Sequence, residues 1–301
     1  MTPREIIAEA WAITCREKPL RRWGMFSSFF ETLLNLKLIA YQVYFIHAYL
    51  AGKQVGFFDD FVWLYDNLPF WAVATIAISF LVLLGIELIV PKFARGAVIG
   101  LAAKAYQKEP LRGGYILALY NFFPIFAFEE IFFLSSIGTV VTLTSLILRY
   151  MSGDIKFTVV WMLVAVWILT NILKFFASFA EPAIVIRRVG IFEAISQSLK
   201  LILSYLGHVM FLWLLLVVIS VRIMFNAILA LIIPVIVVGI SFVLSTFLSL
   251  TVTVFVACGI CVLLVLVASY FFAYLHVFHD VVWTVTYFEL KKYRDLSIIE
   301  A

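Results

Sequence analysis

The sequence predicts an all-α, polytopic integral membrane protein: six transmembrane helices in three helix-hairpin repeats, with interfacial amphipathic helices between them. Four observations lead there. With 65% hydrophobic and 13% charged residues and a mean hydropathy of +1.10, the 301 residues offer far too little polar surface to cover a water-soluble fold. Several apolar runs exceed the roughly 18 residues that read as a membrane-spanning helix. Runs such as Trp71 to Val90 and Val256 to Ala268 lack the polar–apolar alternation of a membrane barrel. Finally, Lys18-Pro19-Leu20-Arg21 and Glu109-Pro110-Leu111-Arg112 each close an amphipathic stretch and open an apolar one, 91 residues apart, as an internal repeat would.

The elements follow in order. Residues 3 to 18 form an amphipathic surface helix, with Ile6, Ile7, Ala10, Trp11 and Ile13 toward one side. The segment has no compact apolar core or small-residue cleavage site and is expected to stay in the mature protein. Trp23 to Leu50 is the first span, Ala51 to Leu68 a polar loop with Asp59, Asp60 and Asp66, and Pro69 to Val90 the second span. A second amphipathic helix covers Ala94 to Tyr106. Tyr115 to Leu148 would reach about 50 Å as one helix, too long for a bilayer, so it is expected to tilt, to kink near Pro124 or to protrude. Phe157 to Ala180 is the fourth span, and Glu181 to Lys200 a third amphipathic connection. Residues 201 to 275 supply two more spans, with a turn where Asn226, Pro234 and Gly239 fall; three shorter spans are the alternative. The repeat units are thus residues 3–90, 94–180 and 181–275 of a single membrane domain, with Phe93-Ala94, Phe179-Ala180 and Phe272-Ala273 ending each second span. A C-terminal interfacial helix covers 276–293.

Charge places this topology. Of the 22 Lys and Arg, five lie in the N-terminal segment, five in 91–114, three in 181–200 and three at the C-terminus. Those sixteen share one side of a six-span chain, and the opposite loops hold only Lys53, Arg149, Lys156 and Arg222. The positive-inside rule then puts both termini in the cytoplasm. The same charges explain the pI near 8.9 and should draw the surface helices to anionic headgroups. They imply no nucleic-acid partner.

Few residues carry candidate chemistry. Charges near the bilayer centre cost at least about 2.5 to 3.5 kcal/mol on insertion scales, so Glu129, Glu130 and Arg222 stand out. The two glutamates lie about 22 Å into the third span and Arg222 about 26 Å into the fifth, close enough in depth for an intramembrane ion pair. A hydrated surface beside Pro124, or a proton or substrate path, are the other readings. His276, His279 and Asp280 make an interfacial polar cluster, with His276 and Asp280 at i, i+4. It has too few ligands for a metal site, and the Cys258-Gly259-Ile260-Cys261 pair sits inside an apolar run. No Gly-rich phosphate loop, Ser/His/Asp set or H-E-x-x-H is present, so neither catalytic residues nor a cofactor are expected.

The stretch Glu193-Ala194-Ile195-Ser196-Gln197-Ser198, entering a span, and the closing Trp283-Thr284-Val285-Thr286-Tyr287-Phe288-Glu289-Leu290 resemble the six-span prokaryotic proteins related to the membrane domain of some glycerophosphoryl diester phosphodiesterases. The resemblance implies an integral membrane protein and, in fused relatives, a membrane partner to a soluble phosphodiesterase. The metal-binding carboxylates and histidines of that soluble domain have no counterpart in these residues, so the activity does not carry over. The expected role is non-enzymatic: a membrane scaffold or accessory subunit that organises lipid or docks a protein partner or a second copy. A small transporter with a midplane Glu/Arg site is the alternative.

Overall fold

The computed structural model describes residues 1–50, 65–151, 155–219 and 249–299, with isolated positions between them; the described chain is helical almost throughout and contains no strand. Its helices are α1 (Pro3–Arg16), α2 (Lys18–Leu50), α3 (Phe70–Tyr106), α4 (Gly114–Ile131), α5 (Ile137–Tyr150), α6 (Ile155–Phe176), α7 (Ala180–Arg187), α8 (Ile191–Ser204), α9 (Leu206–Ile219) and α10 (Leu250–Ile299). Among the described residues, three helical stretches are long and apolar enough to cross a membrane: Phe70–Tyr106, Ile155–Phe176 and Val262–Tyr293. A fourth is added if α8 and α9, which meet at 98°, count as one broken span. Six spans were expected. Most of residues 220–248, where the turn between the expected fifth and sixth spans falls, lies outside the described residues, as does Arg222.

The chain divides into two compact units. One comprises residues 1–29, 93–125 and 176–301, the other residues 30–92 and 126–175. The first collects nearly all the basic and amphipathic segments. The second contains residues 155–175 of α6 and residues 70–92 of α3.

In the first unit, Thr2 opens α1 with a capping box: its hydroxyl accepts from the Glu5 amide, and the Glu5 carboxylate accepts from the Thr2 amide at 2.8 Å. α1 packs on α10, with the Trp11 ring edge-on to Phe278 at 5.6 Å. Both copies of Pro-Leu-Arg lie in this unit, in different conformations. Pro19 sits in the first turn of α2, where its missing N–H costs nothing. The second copy lies in the loop before α4, after Lys108 turns left-handed (φ 59°) and ends α3.

The segments read as interfacial are built differently. Residues 94–106 belong to α3, which includes Pro91, and residues 276–293 belong to α10. The apolar face expected to meet lipid, Ala97, Val98 and Leu101, is buried in protein, as are Val277, Val281, Val282, Val285 and Leu290. The reason is size: alanine, valine and glycine let helix backbones approach closely, which stabilises helix–helix packing where lipid is as apolar as leucine. Gly96 and Gly100, four residues apart, face Asn121, Ile125 and Leu117 of α4, and a Cβ on Gly100 would stand 2.9 Å from Leu117 Cδ1. A Cβ on Gly24 would stand 2.1 Å from Val277 Cγ2. In contrast, α8 is amphipathic as expected, burying Ala194, Ser198, Leu201 and Ile202, and it turns sharply into α9 at Tyr205.

In the second unit the long third apolar stretch breaks at Phe132 to Ser136 through a short 3₁₀ turn (Phe133–Ser135), not at Pro124, which stays inside α4. Side chains on α6 decide the position. Trp167 Nε1 donates to the freed Ser135 carbonyl at 3.1 Å, and Lys174 Nζ donates to Ser135 Oγ at 2.9 Å. Backbone left unpaired in an apolar medium costs several kcal/mol, so a break persists only where such partners exist.

Gly24→Ala is therefore expected to lower thermal stability in nanodiscs by about 1–3 kcal/mol through overpacking. Adding Val277→Ala should recover most of it. Equal melting of Gly24→Ala and wild type would show that α2 and α10 can separate freely at this point.

Candidate functional site

The most concentrated polar arrangement lies in the first unit. Arg95 of α3 stands between two carboxylates: its Nε is 3.0 Å from Glu181 Oε2 of α7, and its Nη2 is 3.6 Å from Asp280 Oδ1 of α10. Glu181 is buried and Asp280 nearly so. His279 Nδ1 lies 3.8 Å from the same Asp280 oxygen, and Trp283 Nε1 donates to His279 Nε2 at 3.0 Å. The Trp283 ring packs edge-on to Phe179, 5.4 Å away. A guanidinium between two carboxylates can fix three helices, because each carboxylate then faces a cation where water is scarce.

Of the residues singled out in the sequence, this site takes His279 and Asp280. His276 lies one turn earlier on α10, exposed. Arg95 and Glu181 carried no signal of their own beyond their place in basic or amphipathic connections, yet a pattern exists. Phe93-Ala94-Arg95, Phe179-Ala180-Glu181 and Phe278-His279-Asp280 each place a charge two residues after a phenylalanine, and those three charges are the ones that meet. The expected third copy, Phe272-Ala273, is one and a half turns too early.

The two quoted motifs surround this cluster. Gln197 accepts from Arg187 Nη1 and donates to Glu193, both at 2.9 Å, tying α7 to α8. Ser198 donates to the Phe176 carbonyl and accepts from the Phe179 amide, closing the turn into α7. On α10, Thr284 and Thr286 donate to carbonyls one turn back, which leaves no hydroxyl unsatisfied in a buried segment. Glu289 accepts from Tyr106 Oη at 2.7 Å and from the Met1 amine at 2.8 Å, and that pairing raises the amine's pKa above its ordinary value.

The second unit pairs its own charges. Lys37 Nζ of α2 is 2.7 Å from Glu87 Oε1 of α3. Glu87 is 1% exposed, and its other oxygen has no hydrogen-bond partner among the described residues. Lys92 pairs with Glu130 and lies 4.5 Å from the centre of the Phe126 ring. Glu130 therefore has a partner one helix away, while the expected Arg222 falls outside the described residues. Glu129 also takes part in an interaction.

Among the described residues no three His, Cys, Asp or Glu side chains stand close enough to hold a metal ion. Comparison with protein-family models, curated proteins and solved structures finds nothing that matches this chain.

If Arg95 is the hub of this cluster, Arg95→Met strands two carboxylates and should cost about 3–5 kcal/mol of stability. Combining it with Glu181→Gln and Asp280→Asn should return a large part. A triple variant no more stable than Arg95→Met alone would mean that the three charges are not coupled.

Proposed function

We propose that this chain is an integral membrane protein of the prokaryotic inner membrane, with six spans and cytoplasmic termini. It acts without chemistry of its own, as a scaffold or accessory subunit that organises lipid or docks a partner. The observation that carries this reading is the surface of α3 and α6. In the most apolar 18-residue window of each, 6% of α3 and none of α6 is buried within the chain. Trp71, Leu81, Trp161, Met162 and Leu169 are all exposed. Apolar faces of that length require lipid or another helix as their solvent. The described charges on the apolar helices are compatible with the same reading, because Lys37, Glu87, Lys92, Glu130 and Lys174 meet partners within the chain. The resemblance of the Glu193–Ser198 and Trp283–Leu290 segments to the membrane domain of phosphodiesterase-linked proteins points to an accessory role as well.

The transporter reading draws on one feature. The helix break at Phe132 to Ser136 follows directly after Glu129 and Glu130, and broken helices beside carboxylates are where transporters bind coupling ions.

Two measurements test these readings. In a variant lacking Cys15, Cys258 and Cys261, an impermeant maleimide applied to sealed cells should label Asp59→Cys and spare Lys104→Cys and Lys291→Cys. Labelling at Lys291 would remove the six-span topology. A photo-crosslinking amino acid at Trp161 or Leu169 should capture acyl chains or one discrete helix partner in native membranes. A protein-dependent proton flux in liposomes that Glu129→Gln or Glu130→Gln abolishes would overturn the scaffold in favour of transport.

A further inference from the structure

The first Pro-Leu-Arg segment lines a groove of about 190 Å³ formed by Lys18, Arg21, Arg22 and Met25 of α2 and by Tyr270 and Tyr274 of α10. Three cations stand at the rim of an otherwise apolar cleft. Arg21 is held in place: its Nη1 donates to Tyr274 Oη at 2.5 Å, its guanidinium lies 5.5 Å from the centre of that ring, and Tyr274 Oη meets Tyr270 Oη at 3.1 Å.

Held this way, Arg21 has work left undone. Its Nε is buried and has no hydrogen-bond partner among the described residues. Lys18 and Arg22 are exposed, with no carboxylate against either among the described residues. Glu17, the neighbouring acid in the chain, is already bound by Arg16 at 2.7 Å. A buried N–H that neither protein nor water satisfies costs about 1–3 kcal/mol, more on a charged group. The group that would satisfy it needs negative charge, several acceptor oxygens to share among three cations, and an apolar tail to lie along Met25 and Ala273.

We propose that this groove binds the phosphodiester of an anionic phospholipid, with Arg21 as the fixed donor and Lys18 and Arg22 as the rim. The proposal rests on the membrane reading above and names the site at which one lipid is held. A zwitterionic headgroup is disfavoured, because its ammonium would meet the same three cations.

Native mass spectrometry of the full chain in mild detergent tests it, with phosphatidylglycerol and phosphatidylcholine titrated separately. Wild type should retain one phosphatidylglycerol in preference to phosphatidylcholine. Retention should fall roughly fivefold for each cation removed in Arg21→Gln, Lys18→Gln and Arg22→Gln, since each basic residue near an anionic surface contributes on the order of that factor. Arg16→Gln, outside the groove, should retain lipid as wild type does. Should Arg21→Gln fail to fold, the exposed pair Lys18→Gln with Arg22→Gln carries the test. Equal retention of both lipids, or an equal loss in Arg16→Gln, overturns the site. Inorganic phosphate that raises the melting temperature as far as phosphatidylglycerol does would also overturn it, by showing a site for a free anion. A proton flux in liposomes would sink the scaffold and leave this lipid result standing; loss of lipid selectivity would leave the scaffold standing.

Discussion

Charge without water is the constraint on which the described structure turns. An ion moved from water into an apolar interior loses several kcal/mol of solvation even after relaxation, and only a partner at hydrogen-bond distance returns it. The two units meet that demand separately. In one, Arg95 takes two carboxylates from two other helices, Glu181 and Asp280. In the other, Lys37 takes Glu87, Lys92 takes Glu130, and Lys174 settles on a serine hydroxyl at a helix break. Each pair joins segments far apart in sequence, so helix assembly and charge neutralisation are one event. A bundle in the wrong register would expose the cost of every ion at once, which gives these pairs a role in specifying the arrangement beyond their net contribution to stability.

Around those pairs the packing is done by small side chains. Apolar solvent gives leucine no reason to leave it, so helices in such surroundings associate through close backbone approach and dispersion. Gly24, Gly96, Gly100 and the alanines of α3 provide that approach. Residues 94–106 show the consequence. Read as a pattern, Ala97, Val98 and Leu101 make the apolar stripe of a surface helix; packed, the segment is interior on almost every side, because alanine is apolar enough for the core and small enough to be covered from several directions.

How much was legible follows from the same physics. Helical class and membrane-length apolar runs are properties of composition and run length, and both are visible residue by residue; the entry of α8 into α9 at Tyr205 is visible as a change from amphipathic to apolar. The break at Phe132 to Ser136 was not, because it depends on Trp167 and Lys174 more than thirty residues away, whereas Pro124 advertises a local kink that neighbours can absorb. The Arg95 cluster was hidden for the same reason. Its members lie 86 and 99 residues apart, and only the recurrence of phenylalanine two positions before each charge ties them together. His279 and Asp280 were legible as polar neighbours on one helix, but not as partners of an arginine.

The break at Ser135 has a bearing on biogenesis. A chain delivered to the membrane from its N-terminus presents α4 and α5 before α6 exists. Until Trp167 and Asn171 arrive, the Ser135 carbonyl lacks the side-chain donors it has in the folded chain, and the least costly form of residues 114–150 is a continuous helix that keeps its own hydrogen bonds. Emergence of α6 is then the event that makes the bent form the better one. The segment would change shape after insertion, at the moment α6 is delivered, and a ribosome paused before residue 167 would hold the chain in a conformation the finished protein does not contain.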